Sequence, residues 1–213
     1  MVNKDKIYII GTGGFAKEVY FLIKETKLYE FKGFVDYRPK NSHLMIGVES
    51  NPIIDEDEFL SEYKGSNVVI GVGRPHLLKK LSEKFESFKT PNIIHPSFIS
   101  DKININIGVG NIITAGVIFT TNITIGSFNV FNLNMTIGHD SIIGNHNVFN
   151  PSTNISGNNK IGNGNLFGVG SISLENIEIG NNNVIGASAL LTKKINNDSV
   201  YIGIPAKMIT NNN

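Results

Sequence analysis

Cysteine is absent from this chain of 213 residues. Its absence excludes a disulfide framework, a thiolate metal site and a cysteine nucleophile together, and it fits a reducing compartment. Long apolar runs are missing too. Nothing approaches the roughly 18 consecutive apolar residues of a membrane span. The start, MVNKDKIYIIGTGG, holds an apolar run too short for a signal peptide and passes into a glycine turn. Charge of one sign is equally lacking: 19 Lys+Arg against 18 Asp+Glu leave a formal net charge of +1. The totals therefore carry neither a nucleic-acid footprint nor a polybasic membrane patch. What is present is a hydrophobic content of 40%, enough to bury a core. The expectation is a soluble cytoplasmic protein.

Composition changes near residue 95. Before it, apolar runs alternate with helical stretches bearing lysine and glutamate; after it, charge thins out and Asn, Gly and Ile dominate. A boundary at Ile94-His95-Pro96-Ser97, where proline interrupts a strand or helix, divides the chain into 1–95 and 96–213. The first part reads as β-α-β. Lys6 to Ile10 is a short buried strand, Gly11 to Gly14 a turn, and Phe15 to Lys27 has helical spacing in Val19, Tyr20, Leu22 and Ile23. Phe34 to Asp36 forms a second strand and Val68 to Val72 a third, and Pro75 to Phe85 is a helix with proline in its first turn. Strands alternating with helices imply a small Rossmann-like parallel sheet.

The second part is a repeat. Stepping by six from Ile107 gives Ile113, Phe119, Ile125, Phe131, Ile137, Ile143, Phe149, Ile155, Ile161, Phe167, Ser173, Ile179, Ile185 and Leu191. Only Ser173 is not large and apolar. The position after is often glycine, as in Gly108, Gly126, Gly138, Gly144 and Gly162. A helix face needs spacings of three and four, and an amphipathic strand needs two, so a sustained six excludes both as the governing period. Each hexapeptide is a short strand and a turn. Stacked coils place Ile and Phe in an interior column, while Asn and Gly, which tolerate left-handed backbone angles, supply the corners. From about Ile107 to Thr192 the chain is therefore a parallel β-helix.

The repeat resembles the left-handed β-helix of the hexapeptide acyltransferases, and the handedness comes with that resemblance. The whole chain resembles one branch, the sialic acid O-acetyltransferase and bacillosamine N-acetyltransferase family, in which a small nucleotide-sugar-binding domain precedes the β-helix. The matching features are Tyr8-Ile-Ile-Gly-Thr-Gly-Gly-Phe-Ala16, Gly33-Phe-Val-Asp36, Ile94-His-Pro-Ser97, Thr136-Ile-Gly-His-Asp140, Asn154-Ile-Ser-Gly157 and Gly203-Ile-Pro-Ala-Lys207. Their order along the chain is more specific than any one of them.

The resemblance implies an acetyl-CoA-dependent sugar acetyltransferase of surface-glycan biosynthesis, with no metal, built as a homotrimer with acetyl-CoA between neighbouring β-helices. His139 stands at the position of the family's general base; by position alone it is also readable as an exposed corner residue. A neutral imidazole accepts a proton near neutral pH. Asp140 matches the carboxylate that holds the other ring nitrogen. Neighbours on a straight strand face opposite ways, so this pair meets only where the backbone turns between them. His146 reads as a solvated corner residue. Relatives carry a second histidine nine residues after the base, where this chain has Val148, and Asn150 is the nearest polar substitute.

Gly157 matches the glycine whose backbone N–H faces the thioester carbonyl; alone, it reads equally as one more corner glycine. Together with Asn150, the residues Gly168, Val169, Ala187, Ile204, Pro205 and Lys207 are the expected acetyl-CoA contacts. The turn Gly11-Thr12-Gly13-Gly14-Phe15-Ala16, after a strand and before a helix, is by itself a weak phosphate-binding signal. Asp36 ends the second strand, positioned for ribose or base. Gly11, Gly13, Gly14, Phe15, Asp36, Tyr37, Arg74 and Asn132 are the expected acceptor contacts. Phe15 replaces a frequent histidine of the family, and Gly73-Arg74-Pro75-His76 replaces a Gly-Asn or Gly-Asp turn. Three readings stand: N-acetylation of a nucleotide-linked amino sugar, O-acetylation of a sugar hydroxyl, and a non-catalytic β-helix used as a binding scaffold.

Overall fold

In the computed structural model, which describes residues 4–212, the first apolar run is strand β1 (Asp5–Ile10). Helix α1 (Gly14–Thr26) follows, burying Ala16, Val19, Tyr20, Leu22 and Ile23 against the sheet, and ends where Lys27 turns left-handed. Strand β2 (Tyr29–Asp36) runs parallel to β1. Next come β3 (His43–Ile46), β4 (Glu49–Asp55) and α2 (Glu56–Glu62), then β5 (Asn67–Ile70) and α3 (Pro75–Lys84). The sheet order is β3-β4-β2-β1-β5, parallel except for the β3–β4 hairpin. The hairpin and α2 add to the β-α-β expectation. β3 is a half-exposed edge strand and β4 contains Pro52, so neither shows a clean apolar run.

From Ile93 onward the chain winds through three parallel sheets in turn. The first collects Ile93–Ile94, Ile112–Ile113, Val130–Phe131, Val148–Phe149, Leu166–Phe167, Val184–Ile185 and Ser199–Ile202, and ends on an antiparallel strand, Lys207–Asn211. The second collects Ile99–Ser100, Ile118–Phe119, Thr136–Ile137, Asn154–Ile155, Ile172–Ser173 and Leu190–Leu191. The third runs from Ile105–Ile107 to Glu178–Ile179.

The six-residue column is the interior. Phe131, Phe149 and Phe167 stack face to face with centroids 5.2 and 4.7 Å apart, each ring contributing about 2–3 kcal/mol by its burial. Ser173, the one break in the column, is fully buried and donates its hydroxyl to Asn159 Oδ1 at 2.7 Å. At every sixth residue the backbone turns left-handed, including Asn122, Phe128, Asn134, Asp140, His146, Ser152 and Asn158. Asparagines bind one coil to the next. The N–H of Asn129 donates to Asn111 Oδ1, that of Asn147 to Asn129, that of Asn165 to Asn147 and that of Asn183 to Asn165, at 2.8–2.9 Å.

The outer row of the first sheet, Ile93, Ile112, Val130 and Val148, is buried in one cluster with α1 and the amino-terminal sheet. His146 fastens the same seam. Its Nε2 lies 2.9 Å from Ser82 Oγ on α3, and its ring stacks on Phe128 with centroids 5.7 Å apart. His146 is thus at a corner, as expected, but it is half-buried between two parts of the chain instead of solvated. No helix among the described residues is long and apolar enough to cross a membrane.

Burial, with Lys79 nearby, pushes the His146 pKa below its usual value, while Glu83 opposes the shift. The unfolded chain therefore takes up this proton first. Stability that His146 provides above about pH 6.5 is lost as pH falls through the unfolded value toward the folded one. His146→Gln is expected to melt lower at pH 7.5, because its contacts with Phe128 and Ser82 are gone. It should also lose less further stability on going to pH 5.5 than the parent does. Thermal unfolding at the two pH values checks both halves, and an equal acid sensitivity in the two proteins contradicts the assignment.

Candidate active site

The second sheet delivers Thr136–Ile137 to the prism edge that it shares with the third. There the chain turns: Gly138 leaves the strand and Asp140 adopts φ 59°. This left-handed residue brings two sequence neighbours onto the same side, and His139 Nδ1 lies 2.7 Å from Asp140 Oδ2. The carboxylate is also bonded by the Asn122 side-chain amide from the coil below. The Asn122 hydrogen bond first, and His139 second, hold the Asp140 carboxyl below the usual carboxylate range, so it stays ionised and accepts. The proton of a neutral His139 then sits on Nδ1, and Nε2 offers a lone pair to solvent.

Gly157 lies one coil above. A Cβ built there would stand 2.7 Å from both Cε1 and Nε2 of His139, so the imidazole ring leans across a space that only glycine leaves open. The Gly157 carbonyl accepts from Asn176 N–H at 3.1 Å, whereas among the described residues no group accepts from the Gly157 N–H. A base with an oriented lone pair beside an uncommitted backbone donor suits acyl transfer: one removes a proton from a nucleophile, the other meets charge developing on a carbonyl oxygen. Besides Asn122, one more side chain that the sequence reading did not single out joins this edge. Glu175 Oε1 lies 3.8 Å from His139 Nε2.

The remaining expected acetyl-CoA contacts lie on a different edge. Asn150, Gly168, Val169 and Ala187 follow strands of the first sheet and stand where it meets the second. Above them the chain containing Ile204, Pro205 and Lys207 closes over Leu190, whose N–H donates to the Gly203 carbonyl while Ala206 N–H donates to its own. One chain therefore does not bring this group to His139; the second sheet separates them. Asn150 commits its amide to the Phe167 carbonyl at 2.9 Å. Val148, at the place of the family's second histidine, is buried under the amino-terminal sheet. Asn132, expected on the acceptor side, shares the edge with Asn150, where its Oδ1 accepts from Leu133 N–H.

The other expected acceptor residues cluster at the carboxyl ends of three adjacent strands, β1, β2 and β5, where ligands of open α/β sheets bind. Gly11 ends β1 at φ 105° and donates to the Val35 carbonyl at 2.7 Å. Gly13 caps α1 and Gly14 begins it, leaving the first helical N–H groups open to an anion. Thr12 donates its hydroxyl to Asp36, whose second oxygen accepts from Tyr37 N–H at 2.8 Å. Asp36 thus braces the glycine turn while keeping lone pairs outward. The Tyr37 ring is exposed, with Arg38 over its face. Phe15 packs in the cluster of the seam instead of pointing freely into the turn. Arg74 precedes α3 and opens onto a groove of about 1120 Å³ between α3 and the asparagine-rich edge, lined also by His76, Lys79, Asn145 and Asn182.

Comparison with known proteins bears on the fold that carries these residues. Residues 6–85 match the family model described as the PglD N-terminal domain. No curated protein matches the chain by sequence. Among solved structures, perosamine N-acetyltransferase from Caulobacter crescentus, a histidine mutant in complex with CoA and GDP-perosamine, superposes with a TM-score of 0.88 at 25% identity, covering 99% of each chain. The acetyltransferase domain of PglB from Neisseria gonorrhoeae, in complex with acetyl coenzyme A, gives 0.88 at 23% identity over 97% of this chain and 100% of that one. WeeI from Acinetobacter baumannii gives 0.82 at 22% over the same shares. The amino-terminal part thus carries a PglD-type domain, and over its whole length the chain has the fold of these sugar acetyltransferases.

Proposed function

We propose that this protein transfers the acetyl group of acetyl-CoA to the amine of a nucleotide-linked amino sugar, with His139 as general base. The observation that carries the reading is the arrangement of one imidazole: Nδ1 tied to Asp140, Nε2 free, and the ring laid over Gly157. The fold's relative with CoA and GDP-perosamine supports the class of donor and acceptor. Acetyl-CoA would lie along the second sheet, with its thioester by Gly157.

With no cysteine in the chain, a cysteine acyl-enzyme is excluded, and direct attack is the economical route. The amine nitrogen attacks the thioester carbonyl while Nε2 of His139 takes one of its protons. The C–N bond forms, the C–S bond breaks, and the same proton passes to the departing thiolate, restoring neutral imidazole. The Gly157 N–H serves the carbonyl oxygen during this step. The glycine turn after β1 and the helix N-terminus behind it hold the acceptor's phosphates, with Asp36 and Tyr37 at its nucleoside.

The two groups of acetyl-CoA residues on opposite edges of the second sheet call for more than one chain. Between them the outer face of that sheet presents Ile99, Ile118 and Ile172, flanked by Leu133, Val169 and Leu174, all exposed. A homotrimer joins His139 of one chain to the Gly168–Ala187 edge of the next and covers this apolar face. Localisation in the cytoplasm, where acetyl-CoA is made, accords with the same reading.

Three outcomes test it. His139→Ala is expected to lower kcat by about 10²- to 10⁴-fold, the usual worth of a general base, with acetyl-CoA affinity and assembly unchanged; near-normal kcat refutes the base. Gly157→Ala is expected to fold normally, because the group in its way is the movable end of a side chain. Displacing the His139 ring should nonetheless cost about 10²-fold in kcat, and steady-state kinetics beside a melting curve separate the two effects. Light scattering should give three chains per particle; a monomer mass at assay concentration contradicts the shared site.

A further inference from the structure

Glu175 belongs to the same stack as His139 and Gly157. Ile137 pairs with Ile155 and Ile155 with Ser173, and each of the three residues stands two positions beyond its strand partner. Because Gly157 has no side chain, the imidazole spans the intervening coil and brings Nε2 to 3.8 Å from Glu175 Oε1. Both side chains are about half exposed, at 52% and 57%. The separation is too long for a hydrogen bond, yet an atom seated about 2.2 Å to one side of the line joining them is about 2.9 Å from each, within hydrogen-bond reach of both.

The two groups converge as acceptors. With its proton on Nδ1 toward Asp140, neutral His139 offers only a lone pair at Nε2, and an ionised carboxylate has nothing to donate. An atom seated there needs two protons to give. A sugar hydroxyl has one; donated to Nε2, as base catalysis requires, it leaves the oxygen lone pairs facing a negative charge. A primary amine has two N–H groups for the two acceptors and directs its remaining lone pair away from both, free to attack. Its protonated form is drawn in by the carboxylate and sheds one proton to water before attack.

We propose that Glu175, with His139 Nε2, forms the recognition site for the acceptor's amino group and selects an amino sugar over its hydroxyl counterpart. The inference rests on the acetyl-transfer reading above and adds the residue that chooses the acceptor's nucleophile.

The test compares the parent enzyme with Glu175→Gln and Glu175→Asp. The probes are GDP-perosamine and the UDP- and dTDP-linked 4-amino-4,6-dideoxyhexoses as acceptors, with their 4-hydroxy counterparts as competitive inhibitors. Glu175→Gln is expected to raise the amine KM about tenfold, the loss of roughly 1.4 kcal/mol. The inhibition constant of the hydroxy compound and the KM for acetyl-CoA should stay within about twofold, and Glu175→Asp should recover part of the loss. An unchanged amine KM, or a parallel weakening of amine, hydroxy compound and acetyl-CoA, overturns the proposal. If the parent acetylates the amines but the Gln variant discriminates as the parent does, this inference alone falls. If the parent acetylates none of the amines, the amine-transfer reading falls with it.

Discussion

The hydrogen bond from the backbone N–H of one coil to the asparagine Oδ1 of the coil below underlies everything else here. At the edge between the third and first sheets, Asn111, Asn129, Asn147, Asn165 and Asn183 are buried, and the Nδ2 groups of Asn129, Asn147 and Asn165 each donate to a glycine carbonyl at 2.9 Å. A second ladder on the same edge runs the other way: Ser127, Asn145 and Asn163 N–H groups donate to Asn145, Asn163 and Asn181 Oδ1 at 2.7 Å. A turn buried without such partners leaves amides unsatisfied at about 1–3 kcal/mol each. Each rung joins equivalent atoms of successive coils, eighteen residues apart through the middle of the prism, and the same bond continues across the longer and shorter coils at its two ends. Constant length is what stacks His139, Gly157 and Glu175 in one line.

This explains which parts of the fold were legible. The interior column could be read from Ile107 to Leu191 because there every coil has the same length. At the base, Ile94 pairs with Ile113, nineteen residues on, and at the top Ile185 pairs with Tyr201, sixteen on. The step of six fails at both ends although the same sheets continue, so the helix extends beyond the visible repeat. In the amino-terminal part, apolar runs revealed β1 and β5, while β3 and β4 escaped because an edge hairpin bearing Asn51 and Pro52 has little periodicity.

The candidate site was partly legible for a similar reason. His139 and Asp140 are adjacent in sequence, and only the left-handed turn between them, at a position that recurs every sixth residue, was needed to bring them together. Glu175 is separated from His139 by two whole coils, a distance that the chain does not advertise but that coil arithmetic makes a contact. Its charge in a stretch poor in charge was the available signal. The partner of His146 had none: Ser82 lies on a helix of the other part of the chain, and no local pattern announces a contact across 64 residues. The same backbone position thus pairs Asp140 with His139 and docks His146 on Ser82, one hexapeptide apart.

The prism is also a ruler. Parallel strands in its sheets are spaced by about 4.8 Å, so side chains are addressed by coil number as much as by residue type. Inserting one complete coil between Gly157 and Glu175 would leave every ladder bond and every interior contact with an equivalent partner, and the chain would remain a satisfactory β-helix. The carboxylate would nevertheless rise by one rung, and its distance from Nε2 would grow well beyond shared hydrogen-bond reach. In a fold so tolerant of added length, the spacing of the site is a property that folding alone does not protect.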